Sequence, residues 1–269
     1  MRLQKIIDRL MPPALAWRLG RAARERLELE RFGHFYRVFV AAGDLCFDIG
    51  ANLGNRTRCF RHLGCKVVAV EPQARCFRKL TKDFGSDPGI RLVRAAVGRQ
   101  AGRATLHVSP DHVLSTLSQA FIDGTRESGR FATTRWDGAE EVAVTTLDEL
   151  IAEHGIPSFI KIDVEGYEAE VLGGLSQAVP ALSIEWTPEL AENARACLKH
   201  MGGLGDYEFN LSWAESMRFS RPQWRSLESM LLLIDEFEGE TQMFGDIYAR
   251  LKVEANRQTH GTGTISSRV

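Results

Sequence analysis

The sequence predicts an α/β protein in which a mostly parallel sheet is covered by helices on both faces. Three observations predict it. Short runs rich in β-branched residues alternate with stretches of helical period along most of the 269 residues. A glycine-rich turn directly follows the first of those runs, where a strand gives way to a helix. Hydrophobic residues make up 44% and charged residues 26% of the chain, a balance that supports a core on each side of such a sheet.

Residues 1–40 are expected to form a helical, basic N-terminal extension. Its first 30 residues carry Arg2, Lys5, Arg9, Arg18, Arg21, Arg24 and Arg26 against Asp8, Glu25, Glu28 and Glu30, with Leu3, Ile6, Ile7 and Leu10 at helical spacing. That stripe needs a partner. The expected one is the domain itself or a second subunit, in a monomer or homodimer, and an anionic membrane surface is the alternative. Asp8 and Arg9 interrupt the apolar opening, so no secretory core is expected, and the run from Met230 to Ile234 is far too short to span a bilayer. Cys46, Cys59, Cys65, Cys76 and Cys197 never fall in a C-x-x-C pair, which fits buried thiols in a reducing cytoplasm rather than disulfides or a zinc site. Lys plus Arg (34) nearly cancel Asp plus Glu (35), so nucleic acid is not an expected partner.

Residues 41–252 are expected to hold the sheet. Strands are predicted at Leu45 to Ile49, Lys66 to Val70, Ile90 to Arg94, Phe159 to Asp163, Leu182 to Trp186, Tyr207 to Leu211 and Asp246 to Leu251. One helix spaces Cys59, Phe60 and Leu63 and stops at Gly64. The next spaces Ala74, Phe77, Leu80 and Phe84 and stops at Gly85, and both glycines suit a left-handed turn. Ala104 to Val108 reads as an inserted hairpin strand, and the polar stretch from Ser109 to Glu141 as a long functional loop. Thr146 and Glu149 form a capping box for a helix that ends at Gly155. Residues 253–269 are polar and are expected to be disordered.

The turn after the first strand is D-x-G-x-N-x-G, from Asp48 to Gly54. Glycines placed here let the backbone approach a ligand and aim free N–H groups at it. Glu71 ends the second strand about 20 residues on, where a carboxylate can accept ribose hydroxyls. Together they point to a nucleoside cofactor. Charge then selects which one. A dinucleotide would place its pyrophosphate beside Asp48, which repels it, whereas S-adenosylmethionine carries a sulfonium and an ammonium that a carboxylate attracts. Asn52 stands where a dinucleotide fingerprint has its second glycine, and Asn tolerates the left-handed conformation.

The segment from Phe159 to Glu168 puts Lys161, Asp163 and Glu165 into what should be a buried central strand. Buried charge must be paired or used. At a strand's carboxyl end beside the first strand, these groups would face the transferred group, and a structural Lys161–Asp163 pair is the competing reading.

The stretches FDIGANLGNRT, VVAVEP, the run from Ala95 to Val108, TTLDEL and KIDVEGYEAEVLGGL occur in an order that resembles the FkbM-type methyltransferase family, from about Gly43 to Trp186. The resemblance implies a Rossmann-like class I methyltransferase fold with a seven-stranded sheet. It also implies S-adenosyl-L-methionine as cofactor and O-methylation of a sugar, free or within a glycan, or of another small hydroxyl-bearing metabolite. By position it implies that Asp48, Gly50, Ala51, Asn52, Gly54, Asn55, Thr57, Glu71 and Ala96 bind the cofactor. Lys161, Asp163 and Glu165 match the family's K-x-D-x-E-G motif and are the candidate catalytic residues. Ser115, Thr116 and Glu185 are candidate acceptor contacts. The continuation WTPE from Trp186 departs from the family's histidine-containing ending.

Asp163 or Glu165 would serve as general base for the acceptor hydroxyl, with Lys161 orienting it. His112 and His154 are weaker candidates. Magnesium held by Asp163, Glu165 and Glu185 is the alternative mechanism, against a metal-free base. A nicotinamide-dependent oxidoreductase and a catalytically silent binding module are the competing functions.

Overall fold

A computed structural model of the chain describes residues 13–240 and 243–252. In chain order the elements are α1 (Pro13–Tyr36), β1 (Leu45–Ile49), α2 (Asn55–His62), β2 (Lys66–Val70), α3 (Ala74–Phe84), β3 (Ile90–Val93), β4 (Ala96–Val97) and β5 (Gly102–Val108). They continue as α4 (Gln119–Glu127), β6 (Gly138–Thr145), α5 (Leu147–His154), β7 (Phe159–Ile162), α6 (Glu168–Leu172) and β8 (Ala181–Trp186). The last are α7 (Ala191–Leu204), β9 (Tyr207–Trp213), α8 (Leu227–Glu236) and β10 (Gly245–Leu251).

All seven predicted strands form one sheet in the order β3-β2-β1-β7-β8-β10-β9. The pairs from β3 to β8 are parallel, and β10 runs antiparallel to both β8 and β9. The strand order reverses between β1 and β7, where an open sheet leaves a crevice at its carboxyl edge. Phe47, Ile49, Ile160, Ile162, Leu182 and Ile184 fill a core on one face with α5, α6, α7 and α8. Cys46, Val67, Ala69, Phe159 and Tyr248 fill the other, against Phe32, Phe35 and Tyr36 of α1 and Cys59 and Phe60 of α2. The period-two alternation of each strand therefore feeds two cores.

The end of α1 packs on the domain, one of the partners expected for the N-terminal segment, with Phe32, Phe35 and Tyr36 buried in the sheet's core. Other expectations are refined or corrected. Gly64 is left-handed at φ 85 as expected, but Gly85 is right-handed at φ −62, because the chain turns on through Asp87 N–H to Phe84 O. Ala104 to Val108 is a strand as expected, within β5, and pairs antiparallel with β6 in a second, three-stranded sheet ordered β4-β6-β5. The stretch from Ser109 to Glu141 holds α4, capped by Ser118 Oγ accepting from Phe121 N–H and burying Phe121, Ile122 and Thr125. With so short a buried stripe, its helical period was masked by polar neighbours.

The Thr146 and Glu149 capping box forms in both directions. All five cysteines are buried free thiols. Leu3, Ile6, Ile7 and Leu10 and the tail from residue 253 lie outside the described residues. Among the described residues, no helix is long and apolar enough to cross a membrane.

Candidate functional site

A cavity of about 550 Å³ opens at the carboxyl ends of β1, β2, β7 and β8, with the segment before α4 and the chain around Arg130 and Phe131 along its other walls. The turn after β1 forms its floor. Gly50 has φ 79, and a Cβ there would meet Asp163 O at 1.8 Å, so only glycine lets the β1 and β7 ends close together. Asn52 follows at φ 51, left-handed as predicted, with its N–H donating to Glu71 Oε2 at 2.8 Å and its side chain to His112 O at 3.3 Å.

Asp48 is 2% exposed and accepts from Thr57 Oγ1 at 2.5 Å, and burial pushes its carboxyl above the usual range. Glu71 is also buried, accepting from the N–H groups of Asn52 and Gln73 at 2.8 Å each. Burial raises it to about 7 against those two donors. Asp48, Gly50, Ala51, Asn52, Asn55 and Glu71 line the cavity, and Ala96 does so from the far wall. Gly54 and Thr57 do not. Gly54, at φ 84, makes room for Phe84, which a Cβ would meet at 2.4 Å, and Thr57 is spent on Asp48.

Strand β7 ends at Ile162, so the expected alternation does not extend to Glu165. Lys161 is 1% exposed, and its Nζ donates to Asp246 Oδ1 at 2.8 Å and lies 3.3 Å from Asp163 Oδ2. Burial opposes its charge, but Asp163 and Asp246 outweigh it and hold the amine above its ordinary range. Glu165 sits at φ 54, followed by Gly166 at φ 86, and Glu168 Oε1 accepts from the N–H groups of Val164 and Gly166. A left-handed glutamate held by a buried neighbour is strained backbone at a cavity wall.

Asp163, Glu165 and Glu185 each bring a carboxylate oxygen within 4.8 Å of the others. Burial, and then the neighbouring carboxylates, push Glu165 and Glu185 well above the usual range. Three oxygen donors at this spacing could hold a divalent cation, a donor's positive charge or several hydroxyls. Ser115 and Thr116 line the cavity but are tied to the protein: Ser115 Oγ accepts from Gln73 Nε2, and Thr116 Oγ1 donates to Glu165 O at 2.7 Å. His112 lines the cavity and His154 does not.

Sequence reasoning missed Asp246, Arg56, Arg130 and Glu189. A buried lysine on a central strand called for a second carboxylate, but only register places Asp246 opposite Glu185. Arg56 stood in plain view in the first turn of α2, beside the glycines. Arg130 Nε donates to Glu189 Oε1 at 2.5 Å, so the divergent WTPE segment supplies the anchor of a cavity-lining arginine.

The family model described as "Methyltransferase FkbM domain" matches residues 48–204. The hexuronic acid methyltransferase AglP of Haloferax volcanii is 26% identical over 143 residues, 52% of this chain and 53% of that protein. The chain thus spans about half the length of that curated relative. Among solved structures, a precorrin-6y C5,15-methyltransferase from Geobacter metallireducens is 10% identical, covering 85% of this chain and 86% of that one at a TM-score of 0.43. A SAM-dependent O-methyltransferase from Thermotoga maritima is 10% identical, covering 83% and 65% at a TM-score of 0.39.

Proposed function

The chain belongs to the FkbM methyltransferase family, and from that premise we propose that it moves the methyl group of S-adenosylmethionine to a hydroxyl of a sugar-type small molecule or glycan. The observation that carries the reading is that Asp48 and Asp163, from strand ends brought together at Gly50, line one cavity. A cationic methyl donor is attracted there, whereas the pyrophosphate of a nicotinamide dinucleotide is repelled. The relative AglP, whose name gives hexuronic acid as its substrate, supports an acceptor of the sugar class.

The residues fit the donor's chemistry. Each Glu71 oxygen spends one lone pair on a backbone N–H and keeps one for a ribose hydroxyl. Ala95, Ala96 and Val97 offer an apolar wall for a base. When bound, the donor supplies a methyl group made electrophilic by its sulfonium.

The chain's own residues then align the acceptor and take its proton. Asp163, 3.3 Å from Lys161 Nζ, is the partner for positive charge. Glu165 makes no hydrogen bond through its carboxylate among the described residues, and burial with neighbouring carboxylates raises its affinity for protons, as a proton acceptor requires. Glu185 faces it and holds the acceptor. The catalytic domain in this reading includes the end of α1 and runs to residue 252.

Incubating the chain with labelled donor and a panel of neutral and uronic sugars, followed by mass spectrometry, tests the proposal. Label on an acceptor oxygen supports it. Calorimetric binding of NAD with none of the methyl donor would overturn it.

A further inference from the structure

Three cations line the cavity: Arg56, Arg130 and Lys161. Two are committed. Lys161 is held between Asp246 and Asp163, and Arg130 is paired with Glu189, whose side chain is 4% exposed, and also donates to Met243 O. Arg56 differs. Its Nη2 reaches Glu215, a carboxylate 60% exposed at the cavity rim, while its buried Nε has no partner among the described residues. The guanidinium is positioned nonetheless, because it lies over the Phe32 ring at 4.3 Å and only 12% of the side chain is exposed.

Arg56 lines a cavity otherwise rich in carboxylates, and its side-chain partner Glu215 is exposed at the rim, so the guanidinium can exchange that partner for a ligand anion. The amino-acid end of S-adenosylmethionine carries one carboxylate beside its ammonium. The geometry points to Arg56 as the residue that receives the donor's α-carboxylate, with Glu215 occupying part of the guanidinium until the donor arrives. This rests on the donor reading above. A planar fork suits a carboxylate, and the first turn of α2 adds the favourable end of a helix dipole. The Glu215 end of the pair is 60% exposed and hydrated whether paired or not, so exchanging it for a ligand carboxylate costs little. Asp48 and Asp163 remain across the glycine turn for the ammonium and sulfonium.

The test compares S-adenosylmethionine with its decarboxylated analogue, which keeps the sulfonium, amine and adenosine. Calorimetry should find that the wild-type chain prefers the carboxylate-bearing ligand by about 10- to 100-fold. Arg56→Met, which keeps the apolar stem, should lose that preference by weakening S-adenosylmethionine alone, and Arg56→Lys should restore part of it. Glu215→Gln removes the competing charge. It should tighten S-adenosylmethionine about 2- to 5-fold without changing the analogue, since an exposed carboxylate competes weakly, and it decides the matter even where Arg56→Met fails to fold. Equal losses for both ligands in Arg56→Met, or equal shifts in Glu215→Gln, overturn the assignment. If neither ligand binds the wild-type chain, the donor reading itself falls.

Discussion

Lys161 on β7 and Asp246 on β10 share a hydrogen-bonded ion pair, Nζ to Oδ1 at 2.8 Å, although β8 lies between their strands. On β8 the residue in register with Lys161 is Ser183, small enough to let the lysine pass over it. Asp246 Oδ2 also accepts from Tyr248 Oη at 3.2 Å. The pair therefore ties the antiparallel end of the sheet to the strand that carries Asp163.

Breaking that tie should be costly, because a buried charge loses a partner. Asp246→Ala should destabilise the chain by about 3 kcal/mol, while the double replacement Lys161→Met with Asp246→Leu should cost less than the single one. Urea denaturation measures both. A change within about 0.5 kcal/mol for Asp246→Ala, the size of an ordinary surface substitution, would mean that Asp163 alone satisfies Lys161.

Glu71 gives stability a pH dependence of definite sign. The folded chain holds its proton up to about 7, whereas the ordinary value is 4.5. Between those values the native state binds more protons than the unfolded one, so stability falls as pH rises through the window, by about 3 kcal/mol from this group. Glu71→Gln has no proton to release, and its melting temperature should decline less than that of the wild-type chain across the same window. Parallel declines would show that the carboxylate is already ionised when folded.

How much of this was legible in the sequence depends on whether a residue's role is local. The turn from Asp48 to Gly54, the capping box at Thr146 and the seven strands are set by neighbours in the chain, and they could be read directly. Asn52 was legible as left-handed because few other residues tolerate that backbone. Asp246 was not, since its partner is 85 residues away and its role arises only from strand order. Thr57 and Gly54 were placed at the cofactor because they share a motif with groups that face the cavity. A motif records what a turn needs, and these two residues serve the turn's own packing. The helix α4 was hidden because Phe121 and Ile122 are its only large buried apolar residues.

Coupling between Glu165 and Glu185 should appear in the pH–rate profile. Glu185 is among the carboxylates that surround Glu165, and like charges raise one another's affinity for protons. Glu185→Gln removes that repulsion, so Glu165 should ionise at lower pH. The ascending acid limb of kcat/KM should then move toward lower pH, even where the maximum rate falls through lost acceptor contacts. A limb that stays in place would detach the observed titration from this pair.

The division of labour between Asp163 and Glu165 separates base catalysis from charge pairing. Asp163 is held by Lys161 at 3.3 Å and should matter to donor affinity, so Asp163→Asn should weaken donor binding together with turnover. Glu165→Gln keeps volume and hydrogen bonding but removes the proton acceptor, and turnover should fall by about 10² to 10⁴ with donor affinity retained. A divalent cation on the same three carboxylates would give a different pattern. Chelation would then abolish wild-type turnover, added magnesium would restore it, and Glu165→Gln and Glu185→Gln would both weaken metal binding. The metal-free mechanism expects turnover indifferent to chelator, because Glu165 then takes the acceptor's proton directly. Chelator-sensitive turnover rescued by magnesium would transfer the role of base from Glu165 to an acceptor oxygen activated by the ion.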